Sequence, residues 1–197
     1  MKNRLLALAA LLLTSSLPAA ETPAPAAMPA LTSLATEAMP GLKVGAKAPD
    51  FTLKNSAGLD VALSALLKKG KVALVFVRSA DWCPFCRTQL QALEKSRKDI
   101  EMTGVQLVSV SYDSPATLAA AATKLGLTFP LLSDTGSKII EAYGVRNEAA
   151  TGRGAGVPHP VVFILDQQGT IRVKLMREGY RARPESAEII AAVKSIR

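Results

Sequence analysis

The 197-residue chain predicts a mixed α/β sandwich, on three observations. The uniformly apolar run at 72–77 is too continuous for a half-exposed strand and reads as a buried one, with 105–110 the next buried strand. Segments with helical starts and stops alternate with them, as at Ser114-Pro115 and Gly126. The run ends in a hairpin pattern, 161–165 and 170–176, around Asp166-Gln167-Gln168-Gly169. Strands alternating with helices, then paired strands, are satisfied by helices packed on both faces of one sheet.

The elements follow in order. Residues 1–20 have the form of a signal peptide: Lys2 and Arg4, an apolar core at 5–13, then Pro18-Ala19-Ala20. That core is too short to span a bilayer comfortably, and no later segment qualifies, so no integral span is expected after cleavage. An uncleaved N-terminal anchor is the alternative. Residues 21–42, rich in Ala, Pro, Thr and Ser, read as a flexible linker, with a short helix at 31–39. The folded domain is expected over 43–197. Residues 51–53 and 59–63 alternate around Asn55-Ser56-Ala57-Gly58, a β-hairpin signal. A short helix or turn covers 64–69, and a longer helix runs from Pro84 to about Ile100, interrupted on its buried face by Arg97, which is expected to snorkel outward. A short strand at 130–132, a helix at 137–143 stopped by Gly144, a Gly-rich loop at 146–157 and a final helix at 184–196 complete the chain.

The formal net charge is +8, of which Lys2 and Arg4 supply two. The basic residues are scattered and not interleaved with aromatics, so a solvated surface is expected and nucleic acid is not. No phosphate-binding Gly motif or nucleotide fingerprint appears, and no cofactor is expected.

The candidate site is Trp82-Cys83-Pro84-Phe85-Cys86, which holds the only two cysteines. A strand leads into it and a helix follows. A cysteine at a helix N-terminus meets unpaired N–H groups and the positive end of the helix dipole, and both favour thiolate. Pro84 suits the first helical turn. Cys83 is therefore expected to be the nucleophile, with Cys86 the resolving thiol. A structural zinc site normally needs four Cys or His ligands, and the chain has two Cys and one His. A permanent disulfide over so short a loop would stabilise little by chain entropy.

Five segments in order carry a family resemblance. They are Val44-Gly45 through Ala48-Pro49-Asp50-Phe51-Thr52-Leu53; Ser109-Val110-Ser111-Tyr112-Asp113-Ser114-Pro115; Phe129-Pro130-Leu131-Leu132-Ser133-Asp134; Ala142-Tyr143-Gly144-Val145; and His159-Pro160-Val161-Val162-Phe163-Ile164-Leu165-Asp166. Together they resemble a redoxin of the AhpC/TSA (peroxiredoxin-like) group. The resemblance implies a thioredoxin-like three-layer α/β/α sandwich with an N-terminal β-hairpin extension. It also implies that Pro160 is a cis-proline facing Cys83, with His159 beside it. His159 could then support the thiolate or shuttle a proton; otherwise it is a solvent-facing loop residue.

Two departures qualify the resemblance. Peroxidases of this group carry Pro-x-x-x-Thr-x-x-Cys. Counted from Cys83, those places hold Phe76 and Ala80; counted from Cys86, Ser79 and Cys83. Residues 79–86 instead look like a thioredoxin or glutaredoxin site, yet the strand position where thioredoxins bury an aspartate holds Val77. Arg78 either lowers the Cys83 pKa or pairs with Asp81. Trp82 is expected over the sulfurs, and Trp82, Pro84 and Phe85 are expected to border a substrate groove.

Taken together, these residues imply a periplasmic or secreted thiol–disulfide oxidoreductase. It would act on a disulfide-bearing protein or small molecule, with a thiol electron donor. The alternative is a thiol-dependent peroxidase with Cys83 peroxidatic and Cys86 resolving. A redox-inert interaction module is the remaining reading.

Overall fold

The computed structural model describes residues 39–179 and 181–196. Residues 1–20, expected as a signal peptide, and most of the expected linker lie outside the described residues. One sheet of seven strands runs in the order β2-β1-β5-β4-β3-β6-β7. The strands are β1 (Thr52–Asn55), β2 (Asp60–Ala62), β3 (Lys71–Phe76), β4 (Val105–Ser111), β5 (Leu131–Ser133), β6 (Val161–Leu165) and β7 (Ile171–Met176). The helices are α1 (Leu63–Leu67), α2 (Pro84–Lys95), α3 (Arg97–Glu101), α4 (Pro115–Leu125), α5 (Lys138–Ala142) and α6 (Ser186–Ser195).

Strand periodicity divides the core in two. Ala73, Val75 and Val77 face one layer with Leu90 and Leu93 of α2, Ile100 of α3, Leu118 of α4 and Ile189 of α6. Val72, Leu74 and Phe76 face the other with Leu63 of α1 and Ile140 of α5. This is the three-layer sandwich, with the β1–β2 hairpin as its N-terminal extension. β3 is buried on both faces, as its apolar run requires. It pairs in parallel with β4 and antiparallel with β6.

Three boundaries differ from expectation. The helix after Cys86 is two helices, because Ser96 leaves helical geometry at φ −95 and ψ 5. Arg97 then pairs with Glu94 across the break and with Glu101 within α3. Second, residues 39–42 are not free linker. Lys174 Nζ donates to the Met39 and Gly41 carbonyls, and Leu42 N–H bonds the Tyr143 carbonyl. Third, α6 begins at Ser186, because Glu185 caps it with Glu188 in a capping box. The α4 boundaries follow their signals. Ser114 Oγ accepts from Thr117 N–H, and Gly126 takes the left-handed conformation at φ 66 that a side chain would disfavour.

Candidate active site

The site is built where β3 and β4 end side by side. Val77 continues the ladder by donating to the Val110 carbonyl, which delivers Arg78, Ser79 and Ala80 into a buried turn. Asp113, just after β4, organises that turn. Its carboxylate accepts from Ser79 Oγ at 2.8 Å, Ala80 N–H at 2.7 Å and Ser111 Oγ at 2.9 Å. Ser79 Oγ in turn accepts from the Asp81 and Trp82 amides. Burial raises the Asp113 pKa against the lowering effect of these donors.

This turn presents Cys83 as the N-cap of α2, with Pro84 in its first turn. Cys83 Sγ accepts from Cys86 N–H at 3.4 Å. Both sulfurs are free thiols, and both residues are fully buried. Cys86 is met from across the fold by Arg183, whose Nη2 lies 3.6 Å from its Sγ. The two sulfurs share a proton unequally. The Cys86 pKa falls to about 5, first through the hydrogen bond from the Cys83 sulfur, then through Arg183 and the Ser79 backbone, against burial. Cys83 moves up, because it supplies that hydrogen bond and is itself buried. The N-cap amide favours charge on Cys83, and the Arg183 guanidinium favours it on Cys86.

Trp82 is half-buried against the cysteine-containing core, and its Nε1 donates to Tyr112 Oη at 2.9 Å. Tyr112 Oη donates to the Arg153 carbonyl at 2.7 Å, and Arg153 pairs with Asp81 at 3.0 Å. The Arg153 guanidinium also sits over the Trp82 ring, 5.6 Å from its centroid. The short 3-10 turn Gly152–Gly154 is thereby latched beside the site. Asp81, one possible partner of Arg78, is paired with Arg153.

Pro84 is exposed and Phe85 half-buried, with Arg181 over the Phe85 ring at 5.6 Å. Arg78 is buried. His159 is half-buried, held through its backbone N–H by the Val145 carbonyl at 2.7 Å. Its pKa falls through burial and then the Arg78 charge, so the ring is neutral near pH 7. Its side chain forms no hydrogen bond with either cysteine. The peptide before Pro160 is trans, since the described residues contain no cis peptide bond. Here β6 enters directly from an extended segment bridged at Arg146 and Pro158, and no cis turn is used.

Sequence reasoning missed Asp113, Tyr112, Arg153 and Arg183 as members of the site. Asp113 and Tyr112 lay within a quoted segment, Ser111-Tyr112-Asp113-Ser114. Arg183 had no local signal, because it reaches Cys86 only through the fold. No group of three or more His, Cys, Asp or Glu among the described residues could hold a metal. No helix among them is long and apolar enough to cross a membrane.

Residues 44–174 match the AhpC/TSA family. The chain belongs to that family. Among its AhpC/TSA relatives is the bcp protein of Haemophilus influenzae, named as a peroxiredoxin. It is 34% identical over 131 residues, which cover 66% of this chain and 83% of bcp. The chloroplastic peroxiredoxin Q of Gentiana triflora is 33% identical over 129 residues. That match covers 66% of this chain but 57% of the plant protein, so the chain spans little more than half of that relative. The peroxidoxin BcpB of Mycobacterium tuberculosis shares the fold with a TM-score of 0.70 at 24% identity. It covers 79% of this chain and 99% of its own.

Proposed function

We propose that this AhpC/TSA protein is a thiol-dependent peroxidase whose Cys83 and Cys86 cycle between dithiol and disulfide. The observation that carries the reading is the pair of buried free thiols at the start of α2, with Cys83 Sγ accepting from Cys86 N–H and the Arg183 guanidinium beside Cys86 Sγ. The peroxiredoxin names of bcp and peroxiredoxin Q support it. The Cys86 thiolate attacks the terminal oxygen of a hydroperoxide, the O–O bond breaks, and the leaving alkoxide takes the Cys83 proton. Cys83 then attacks the Cys86 sulfenic acid, expelling hydroxide and closing the disulfide. Thiolate, thiol and hydroperoxide give disulfide, alcohol and hydroxide, and a thiol donor restores the pair.

A second reading is favoured by a specific feature. Ala80 stands where the family's peroxidases carry threonine, and Cys83-Pro84-Phe85-Cys86 has dithiol-exchange spacing. Thiol–disulfide exchange, the first expectation from the sequence, uses the same two sulfurs. Trp82, the lone tryptophan, precedes Cys83 and packs against the core cluster that holds both cysteines. Its fluorescence, followed by stopped flow on the reduced protein, separates the readings. Oxidation by hydrogen peroxide about a hundredfold faster than that of a free thiol supports the peroxidase. A sluggish response to peroxide with fast oxidation by a peptide disulfide overturns it in favour of exchange.

Export and cleavage of residues 1–20 remain part of the proposal, resting on Lys2, Arg4, the apolar core at 5–13 and Pro18-Ala19-Ala20. N-terminal sequencing of the exported protein tests this, and an intact Met1 in the cytoplasmic fraction would refute it.

A further inference from the structure

A cleft of about 510 Å³ opens between α2 and the segment leading into α6. Neither cysteine is among its lining residues, so its occupant need not be a reacting thiol. Phe85 and Leu93 of α2 and Pro184 opposite give it apolar walls. Arg181 and Arg183 add two guanidiniums. Arg181 stacks over the Phe85 ring, 5.6 Å from its centroid, which holds its charge at the wall. The one acid lining the cleft, Glu185, is engaged in the capping box of α6. Apolar walls with positive charge suit an anion that carries an apolar group. Gln89 lines the cleft as well, at 7% exposure, and its Oε1 accepts no hydrogen bond among the described residues. The last torsion of a glutamine is soft, and rotation about it turns that oxygen towards the cleft. A buried carbonyl oxygen without a donor is costly, so the site favours a ligand that brings an N–H.

We propose that this cleft captures the carboxyl terminus of a peptide whose last residue is apolar. The terminal carboxylate meets Arg181 and Arg183, the N–H of the last residue meets Gln89 Oε1, and its side chain lies on Leu93 and Pro184. A peptide end carries all three groups on one residue. A simple carboxylate lacks the N–H, and an internal stretch of chain lacks the charge. Arg183 also links the cleft to the thiols, because its Nη2 lies 3.6 Å from Cys86 Sγ. A thiolate on either sulfur competes with the carboxylate for that guanidinium, and a disulfide does not. The oxidised protein therefore holds the peptide end more tightly than the reduced one, and by linkage the peptide end stabilises the disulfide. This coupling rests on the dithiol–disulfide cycle proposed above; the binding itself does not.

Isothermal titration calorimetry of the full-length reduced protein with acetyl-Ala-Leu tests the binding. Acetyl-Ala-Leu-amide, which lacks the charge, is expected to bind about tenfold more weakly, and Arg181→Gln is expected to weaken the acid by a similar factor. The depsipeptide of acetyl-alanine and leucic acid keeps the carboxylate and replaces the last N–H by an ester oxygen. It is expected to bind about fivefold more weakly than acetyl-Ala-Leu, and Gln89→Leu is expected to erase that difference. No detectable binding of the acid, equal affinity for acid and amide, or a depsipeptide penalty that persists in Gln89→Leu overturns the proposal. The titration is then repeated after diamide oxidation, with a thiol assay to count the remaining thiols. Affinity for the acid is expected to rise about threefold in the disulfide form. Equal or weaker binding there overturns the coupling. Two thiols still titratable after diamide would defeat the dithiol cycle and the coupling together, while the peptide series on the reduced protein decides the binding by itself.

Discussion

Asp113 and Ser79 meet through a buried 2.8 Å hydrogen bond, although 34 residues separate them. The same carboxylate holds Ala80 N–H and Ser111 Oγ. It therefore pins the ends of β3 and β4 together and fixes where Cys83 enters α2. Asp113→Ala leaves these donors without an acceptor and should cost about 3 kcal/mol in urea unfolding. Asp113→Asn keeps a carbonyl oxygen for one or two donors and removes the burial cost that raises the Asp113 pKa. It should lose clearly less. Equal losses would show that the charge itself, rather than acceptor geometry, supports the turn.

The charge on Cys86 gives a pH dependence with a definite sign. A thiol pKa lowered to about 5 leaves the nucleophile charged above that pH and protonates it below. The oxidation rate should be flat from neutral pH down to about 6 and half-maximal near 5. Arg183→Ala should move the midpoint upward, towards the ordinary thiol value of 9.0. A wild-type midpoint near that ordinary value would return the nucleophile's role to Cys83.

The sequence made the scaffold legible where the signal was local. The apolar run of β3, the Ser114-Pro115 start and Gly126 stop of α4, and the hairpin around Asp166-Gln167-Gln168-Gly169 each carry their own chemistry. The cysteine pair was legible for the same reason. The charge partner was not. Arg183 lies 97 residues from Cys86, and only the return of the chain after β7 brings them together. The break at Ser96 was hidden because neither Gly nor Pro marks it. It is supported by ion pairs from Arg97, a residue that sequence periodicity places on the buried face. Pro160 shows the reverse error: its motif resembled that of the family, but the local path into β6 is extended.

Tyr112 connects the Trp82 indole to the Arg153 carbonyl and so latches the Gly152–Gly154 turn. The Arg153–Asp81 pair is largely exposed and contributes little by itself. Tyr112→Phe removes both Tyr112 hydrogen bonds, worth about 1 kcal/mol each. Because both cysteines are buried, a thiol reagent reaches them only when the site opens. Alkylation by iodoacetamide should therefore accelerate by about fivefold or more in Tyr112→Phe. An unchanged rate would mean that access runs through the α2 side, away from the latched turn.

Gly41 shows that residues 39–42 belong to the folded domain. It has φ +102, and a Cβ there would meet Val145 Cγ1 at 2.8 Å. Val145 in turn holds His159 through its backbone carbonyl. Gly41→Ala combines a strained left-handed conformation with a clash against a buried branched side chain, at a cost of about 2 kcal/mol. Lys174 would lose its grip on the Met39 and Gly41 carbonyls as the segment lifts. The expected outcome is a lower urea midpoint together with faster proteolysis at 39–42. The cysteines lie in the other core layer, so the pH midpoint of thiol oxidation should stay in place. If the urea midpoint stayed at the wild-type value, these residues would be only loosely docked, and the domain would begin at Lys43.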